Sequence, residues 1–321
     1  MNPAGSLNPS PRTLEVETLD SFDRLVAADA VTMQGWHAQS LDLRGREGAL
    51  ETLDVEGAIF LGCTFGQGVE ERLRRRGALI FPRLHDHAIG DALEGFMRSD
   101  ICAGRITVGV MGGHEAQRGT PEFAQAAELG RLLAQTGRMV ATGGGPGAME
   151  AANLGAYLSR VPHAEFTAAL AGLGAVPGFR PSVSAWAREA AAVVERHPGG
   201  TPSLGIPTWF YGHEPPNYFA THIAKYFANA IREAILLELC DGGIIFLPGA
   251  AGTVQEIFQD ACENYYSARE AVTPMVLVGR QHWEHEYPAW PMLRRLAAGR
   301  AMEDRIFLVD SVDEALAVLG G

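Results

Sequence analysis

Two short stretches carry residue types able to do chemistry together. The first is Gly143-Gly144-Gly145-Pro146-Gly147-Ala148-Met149-Glu150, and the second is Phe246-Leu247-Pro248-Gly249-Ala250-Ala251-Gly252-Thr253-Val254-Gln255-Glu256. Each follows an apolar run and leads into helical spacing. A strand, a small-residue turn and a helix N-terminus together present unpaired N–H donors and the positive end of a helix dipole, which is an anion site suited to a phosphate. Thr253 is the expected N-cap of the second helix. Glu256 falls one turn inside that helix, so its carboxylate reaches back over a bound anion toward the next part of a ligand. Gly143, Gly145 and Ala148 stand at the G-x-G-x-x-A spacing of a dinucleotide loop. That spacing alone also describes a structural turn, and no strand-end acid about 20 residues further on is placed to hold a ribose. A pair of such loops in one sheet fits a mononucleotide phosphate with its ribose better than two unrelated turns.

Loops of this kind need strands behind them. Gly243 to Leu247 is too short for a membrane span and reads as a buried parallel strand. Ile106 to Met111 and Met139 to Thr142 read the same way, with Gly112-Gly113 turning the chain and a helix over Glu122 to Gln135 between them. Another helix follows the first glycine loop through Ala151, Ala152, Leu154 and Tyr157. Residues 160 to 202 read as an irregular, Pro/Gly-punctuated insertion or lid with one helix, Val183 to Glu195. A third strand is expected over Leu204 to Phe210, where Pro207 marks an edge or a strand end, and a long helix from about Asn217 to Leu239. On that helix His222, Lys225, Asn229 and Arg232 form a polar stripe. Such stripes are ordinarily solvated, but this helix leads into the FLPG strand, which would turn Arg232 toward the crevice. Pro274 to Val278 and Arg305 to Val309 give two more strands. Strands alternating with helices, with glycines at their carboxyl ends, make an α/β doubly wound sheet whose ligand crevice lies at those ends.

Upstream, Ala58 to Gly62 and Ala78 to Phe81 read as strands with Val69 to Arg76 as the crossover helix, within a small α/β region from Leu14 to about Ser99. Residues 1 to about 12 read as a disordered tail. Arg72, Arg74, Arg75 and Arg76 read as the solvated end of the crossover helix.

The bulk properties exclude several classes. The chain of 321 residues is 47% hydrophobic and 20% charged, so it is globular. Its net charge of −12 argues against nucleic acid as a partner. No apolar run approaches membrane-spanning length, the start shows no signal sequence, and the four cysteines have no metal-type spacing, so a reduced cytoplasmic protein is expected. His85-Asp86-His87 lacks a third ligand, and His282 and His285 do not stand in H-E-x-x-H order, so neither pair predicts a metal. Lysine occurs once, at Lys225, leaving one candidate for Schiff-base chemistry without the partners a pyridoxal cofactor needs. Neither a G-x-S-x-G elbow nor a P-loop is present.

GGGPGAMEAAN and PGAAGTVQE, in that order, resemble the LOG family, cytokinin-activating phosphoribohydrolases and related nucleotide 5′-monophosphate nucleosidases. The family pattern is GGG-x-x-G-x-M, an arginine on the preceding long helix, and P-G-G-x-G-T-x-x-E. The likeness covers about Ile101 to the C-terminus and implies a Rossmann-like domain over 101–321, with 1–100 as a smaller α/β region found in a larger bacterial branch. On this resemblance Glu256 and Arg232 are the catalytic candidates. Gly144, Gly145, Gly147, Met149, Gly249, Gly252 and Thr253, with Gly112 and Asn217, are the candidates for holding substrate phosphate. Here Ala250 stands for the second glycine of P-G-G, and Arg232-Glu233 for an Arg-Lys pair. The implied activity is hydrolysis of the N-glycosidic bond of a nucleoside 5′-monophosphate to free base and ribose 5-phosphate, without metal or organic cofactor, by a homodimer or higher homo-oligomer. The alternative is a nucleotide-binding sensor or carrier of the same fold without turnover.

Overall fold

A computed structural model describes residues 14–28, 30–81, 85–209 and 214–320. The chain divides into two compact units after Ile89. In the first, strands β1 (Leu14–Val16), β2 (Trp36–Gln39), β3 (Ile59–Leu61) and β4 (Leu79–Phe81) pair in parallel in sequence order. Helices α1 (Leu19–Ala27), α2 (Glu47–Thr52) and α3 (Val69–Arg75) make the returns. Val16, Phe22, Trp36, Leu50, Phe60 and Leu73 fill the space between the ladder and its helices. Strands β1 and β2 were not legible, because Leu14–Val16 and Trp36–Gln39 are interrupted by polar residues, whereas β3 and β4 are continuous apolar runs. At the end of α3, Arg74 and Arg75 pair with Glu70 and Glu71 one turn earlier, the solvated helix end expected. Helix α4 (His85–Met97) crosses the division in the chain.

The second unit carries β5 (Thr107–Met111), α5 (Pro121–Gln135), β6 (Met139–Thr142), α6 (Ala148–Tyr157), α7 (His163–Leu173), α8 (Val183–Arg196), β7 (Ser203–Gly205), β8 (His222–Ile223), α9 (Asn229–Glu238), β9 (Ile244–Phe246), α10 (Ala251–Tyr266), β10 (Met275–Val278), α11 (Ala289–Ala297), β11 (Ile306–Val309) and α12 (Val312–Leu319). Its strands form one parallel sheet in the order β11-β10-β9-β5-β6-β7-β8. The chain starts in the middle, winds out to β8, and returns to β9 beside β5. The strand order therefore reverses between β5 and β9, where doubly wound folds bind ligands. β5, β6, β9 and β10 are buried along their whole length, as strands covered on both faces must be. Helices α5 and α6 touch backbone to backbone. A Cβ on Gly155 would lie 1.7 Å from the Ala127 carbonyl, so this approach requires glycine.

Three expected elements differ. The helix expected from Asn217 begins only at Asn229, because Asn217 turns the chain with its own side chain. Its Oδ1 accepts from the N–H groups of Phe219 and Ala220, and His222–Ile223 then pairs with Leu204–Gly205 as an extra strand. His222 and Lys225 are thus not on the helix of Arg232, and the polar stripe is not one helix face. Residues 160–202 hold two helices, α7 and α8, where one was read. The third strand is confined to Ser203–Gly205 and ends before Pro207. It is not an edge, since β8 lies outside it, and Phe210 lies outside the described residues.

Candidate functional site

The loops leaving β5 and β9 remain bonded past the strand ends. Leu247 N–H donates to the Met111 carbonyl at 2.8 Å, and Gly113 N–H to that of Pro248 at 3.0 Å. Beside this seam a cavity of about 220 Å³ opens at the carboxyl ends of β5, β6 and β9. Gly112, Gly145, Met149, Arg232, Gly252, Thr253 and Glu256 line it, so most of the residues singled out in the sequence come together. Gly144, Gly147, Asn217 and Gly249 do not line it.

The first glycine loop explains that division. Asn217 N–H donates to the Gly144 carbonyl at 2.8 Å, and its side-chain amide donates to the Gly145 carbonyl at 3.1 Å and to Asn153 Oδ1 at 2.9 Å. Thr142 Oγ1 donates to the same Asn153 oxygen at 2.7 Å and accepts from Gly144 N–H. This buried network uses Asn217 fully, so it positions the loop. Gly147, at φ 75°, is pressed against the β5 loop, where a Cβ would lie 2.6 Å from the Gly113 carbonyl oxygen. What the loop offers the cavity is room. A Cβ on Gly143 would meet Met149 Sδ at 2.8 Å and Arg232 Nη1 at 3.2 Å.

The second loop faces the cavity directly. Helix α10 starts after Ala250, whose carbonyl accepts the first helical bond from Val254, and no side chain caps it. Thr253 is therefore not the N-cap; it is the third helical residue and is buried in the wall. The first N–H groups of a helix have no carbonyl a turn before them, so α10 turns polar donors and its positive end toward the space. His282 supports this turn from behind, its Nε2 within 2.8 Å of the Gly249 carbonyl oxygen and its Nδ1 3.0 Å from Glu286. The His282 ring thus reaches the FLPG turn. Among the described residues no group of three or more His, Cys, Asp or Glu is placed to hold a metal, and no helix is long and apolar enough to cross a membrane.

Opposite α10, Arg232 and Glu233 rise from α9. Arg232 donates to Asn229 Oδ1 at 2.9 and 3.2 Å and lies 3.4 Å from Glu233 Oε1 and 3.9 Å from Glu256 Oε1. Glu233, which replaces the expected lysine, is buried and also accepts from Asn229 at 2.8 Å and from Gln255 at 2.6 Å. The Glu256 side chain is 13% exposed. Burial pushes its carboxyl up to about 7, with Arg232 pulling it down and Glu233 pushing it up. Asp260, one turn further along α10, is buried and lifted to about 8, by burial first and then by Glu263.

The sequence reading missed Glu214 and His114, which line the same cavity 3.8 Å apart. Burial raises the Glu214 carboxyl, against the pull of His114 and Arg180. Neither residue sits in a motif, and only the tertiary fold brings them together. Lys225 stacks over the Trp209 ring at 3.9 Å, outside the cavity lining.

A family model described as the SLOG cluster4 family matches residues 105–160. No curated protein matches the chain. Similar solved structures include the molybdenum cofactor binding protein from the phototrophic bacterium Rippkaea orientalis, 17% identical with a TM-score of 0.42, over 68% of this chain and 97% of that one. Another is the Moco carrier protein from Chlamydomonas reinhardtii, 19% identical with a TM-score of 0.43, over 67% of this chain and 96% of that one. Residues 105–160, which run from β5 through the first glycine loop and α6, are thus similar to the SLOG cluster4 family.

Proposed function

We propose that this protein hydrolyses the N-glycosidic bond of a nucleoside 5′-monophosphate. The observation that carries the reading is the facing of Glu256 and Arg232 across a cavity walled by the α10 N-terminus. The donors of α10 hold the phosphate, and that remote binding energy fixes the ribose over Glu256. As the bond from C1′ to the base nitrogen breaks, its electron pair leaves with the base, which takes a proton from solvent. The sugar becomes cationic, the Glu256 carboxylate stabilises it, and water adds to C1′ while losing a proton. Only the ionised carboxylate does this, so turnover rises with pH through about 7. A carrier that binds the nucleotide without turnover is the second reading. It is favoured by the buried Glu233, which occupies Arg232 and offsets its charge. The test is to incubate the protein with a panel of nucleoside monophosphates and the matching nucleosides and measure free base. Release from a monophosphate and not from its nucleoside is expected. Binding without release selects the carrier, and no binding of any monophosphate overturns both.

A further inference from the structure

The cavity beside Glu256, at about 220 Å³, is smaller than the roughly 300–1,000 Å³ of ordinary small-molecule sites. A complete nucleotide has to extend out of it. A second cavity of about 740 Å³ adjoins, sharing His114 and Glu214 with the first, and its far wall comes from the segment between α7 and α8. Resting on the nucleotide reading above, we propose that this annexe is the subsite for the planar base, which stacks on Phe179 and is read at its edge by Glu214.

The annexe offers what a heterocycle needs. The half-buried Phe179 ring has Arg180 5.5 Å over it and packs edge-on to Trp186 at 6.4 Å, giving an aromatic wall with a cation over one ring face. Glu214 stands at the junction, where its carboxyl can accept from base N–H groups or, when protonated, donate to a ring nitrogen. The wall is also held in place. Arg118 is wholly buried, forms an ion pair with Glu150, donates from Nη1 to the Trp186 carbonyl at 2.9 Å, and lies 4.6 Å from the Trp186 ring centroid. Its backbone N–H donates to the Pro177 carbonyl at 2.9 Å. The desolvated pair itself joins the β5 loop to α6, and the two hydrogen bonds to the Trp186 and Pro177 carbonyls tie that loop to the inserted segment. A third cavity, about 340 Å³, also touches the site. The ring His282 offers there is already engaged by Gly249 and Glu286.

The test uses the full chain carrying Glu256→Gln, expected to slow turnover on the order of 10² to 10³, titrated calorimetrically with ribose 5-phosphate and with AMP, GMP, CMP and UMP. At least one nucleotide should bind more tightly than ribose 5-phosphate. Adding Phe179→Ala should weaken that nucleotide about tenfold, the scale of base–aromatic stacking, and leave ribose 5-phosphate unchanged. Glu214→Gln should alter the ranking of the four bases, and Tyr287→Ala, in the third cavity, should change neither probe. The proposal falls if Phe179→Ala weakens both probes equally or neither, or if Tyr287→Ala produces the selective loss. Tight ribose 5-phosphate binding with no gain from any base overturns the annexe alone. If neither probe type binds, the nucleotide reading falls and the annexe with it.

Discussion

The two glycine loops of the second unit have nearly the same sequence grammar and opposite uses. After β6, the loop is tied inward. Asn153, Thr142 and Asn217 bond it from below, and Glu150 in the first turn of α6 is bound by the buried Arg118 at 3.0 Å. After β9, the loop is held by His282 from behind and by Gly113 N–H on the Pro248 carbonyl, and the acid on its helix, Glu256, has its nearest guanidinium nitrogen at 3.9 Å. One carboxylate is consumed by structure, while the other keeps capacity for a ligand. A glycine loop thus signals a close approach of backbone, and the partners of the acid beside it decide whether that approach serves the fold or a substrate.

The comparison is broken most sharply at Glu256. Glu256→Gln keeps the shape and removes the charge, so base release should fall on the order of 10² to 10³ with monophosphate affinity retained. If Glu256 were only a dipole-complementing acid, steady-state kinetics would show no selective loss. The first loop should respond in stability. Gly147→Ala places a side chain at positive φ against the β5 loop backbone and should cost about 3–5 kcal/mol, read from denaturant unfolding. A loss below about 1 kcal/mol would contradict the tight seam.

The acids also differ in their pH signature. Because Glu256 and Asp260 are raised in the folded protein, their contribution to stability is complete below their unfolded values of 4.5 and 3.8. It is lost as pH rises through about 7 and about 8. Glu256→Gln should therefore melt higher than wild type above pH 7, by at most about 3 kcal/mol, with the gap closing toward pH 4.5. A pH-independent gap would mean that Glu256 is not held in its protonated form by burial. Smallest is Thr253→Ala. It removes one hydroxyl from the wall while the α10 donors remain, and should weaken monophosphate binding by about 1 kcal/mol in calorimetry.

Local sequence determined the central strands β5, β6 and β9, the two loops and the placement of Glu256, because continuous apolar runs ending in Pro-Gly or Gly-Gly-Gly admit few alternatives to strand, turn and helix. Its errors were also local. The apolar spacing from Phe219 to Leu239 imitates one helix, and only the pairing of His222–Ile223 with β7 and the side-chain turn at Asn217 interrupt it. Arg232 was read at the crevice from its place before the FLPG strand, but the burial of Glu233 beside it needed α9 and α10 to be packed together. The tertiary structure alone joined Glu214 to His114, and Arg118 to Glu150 and Trp186, across intervals that no motif spans. Such contacts are set by which chain segments the sheet order brings side by side, and that order is a property of the whole fold.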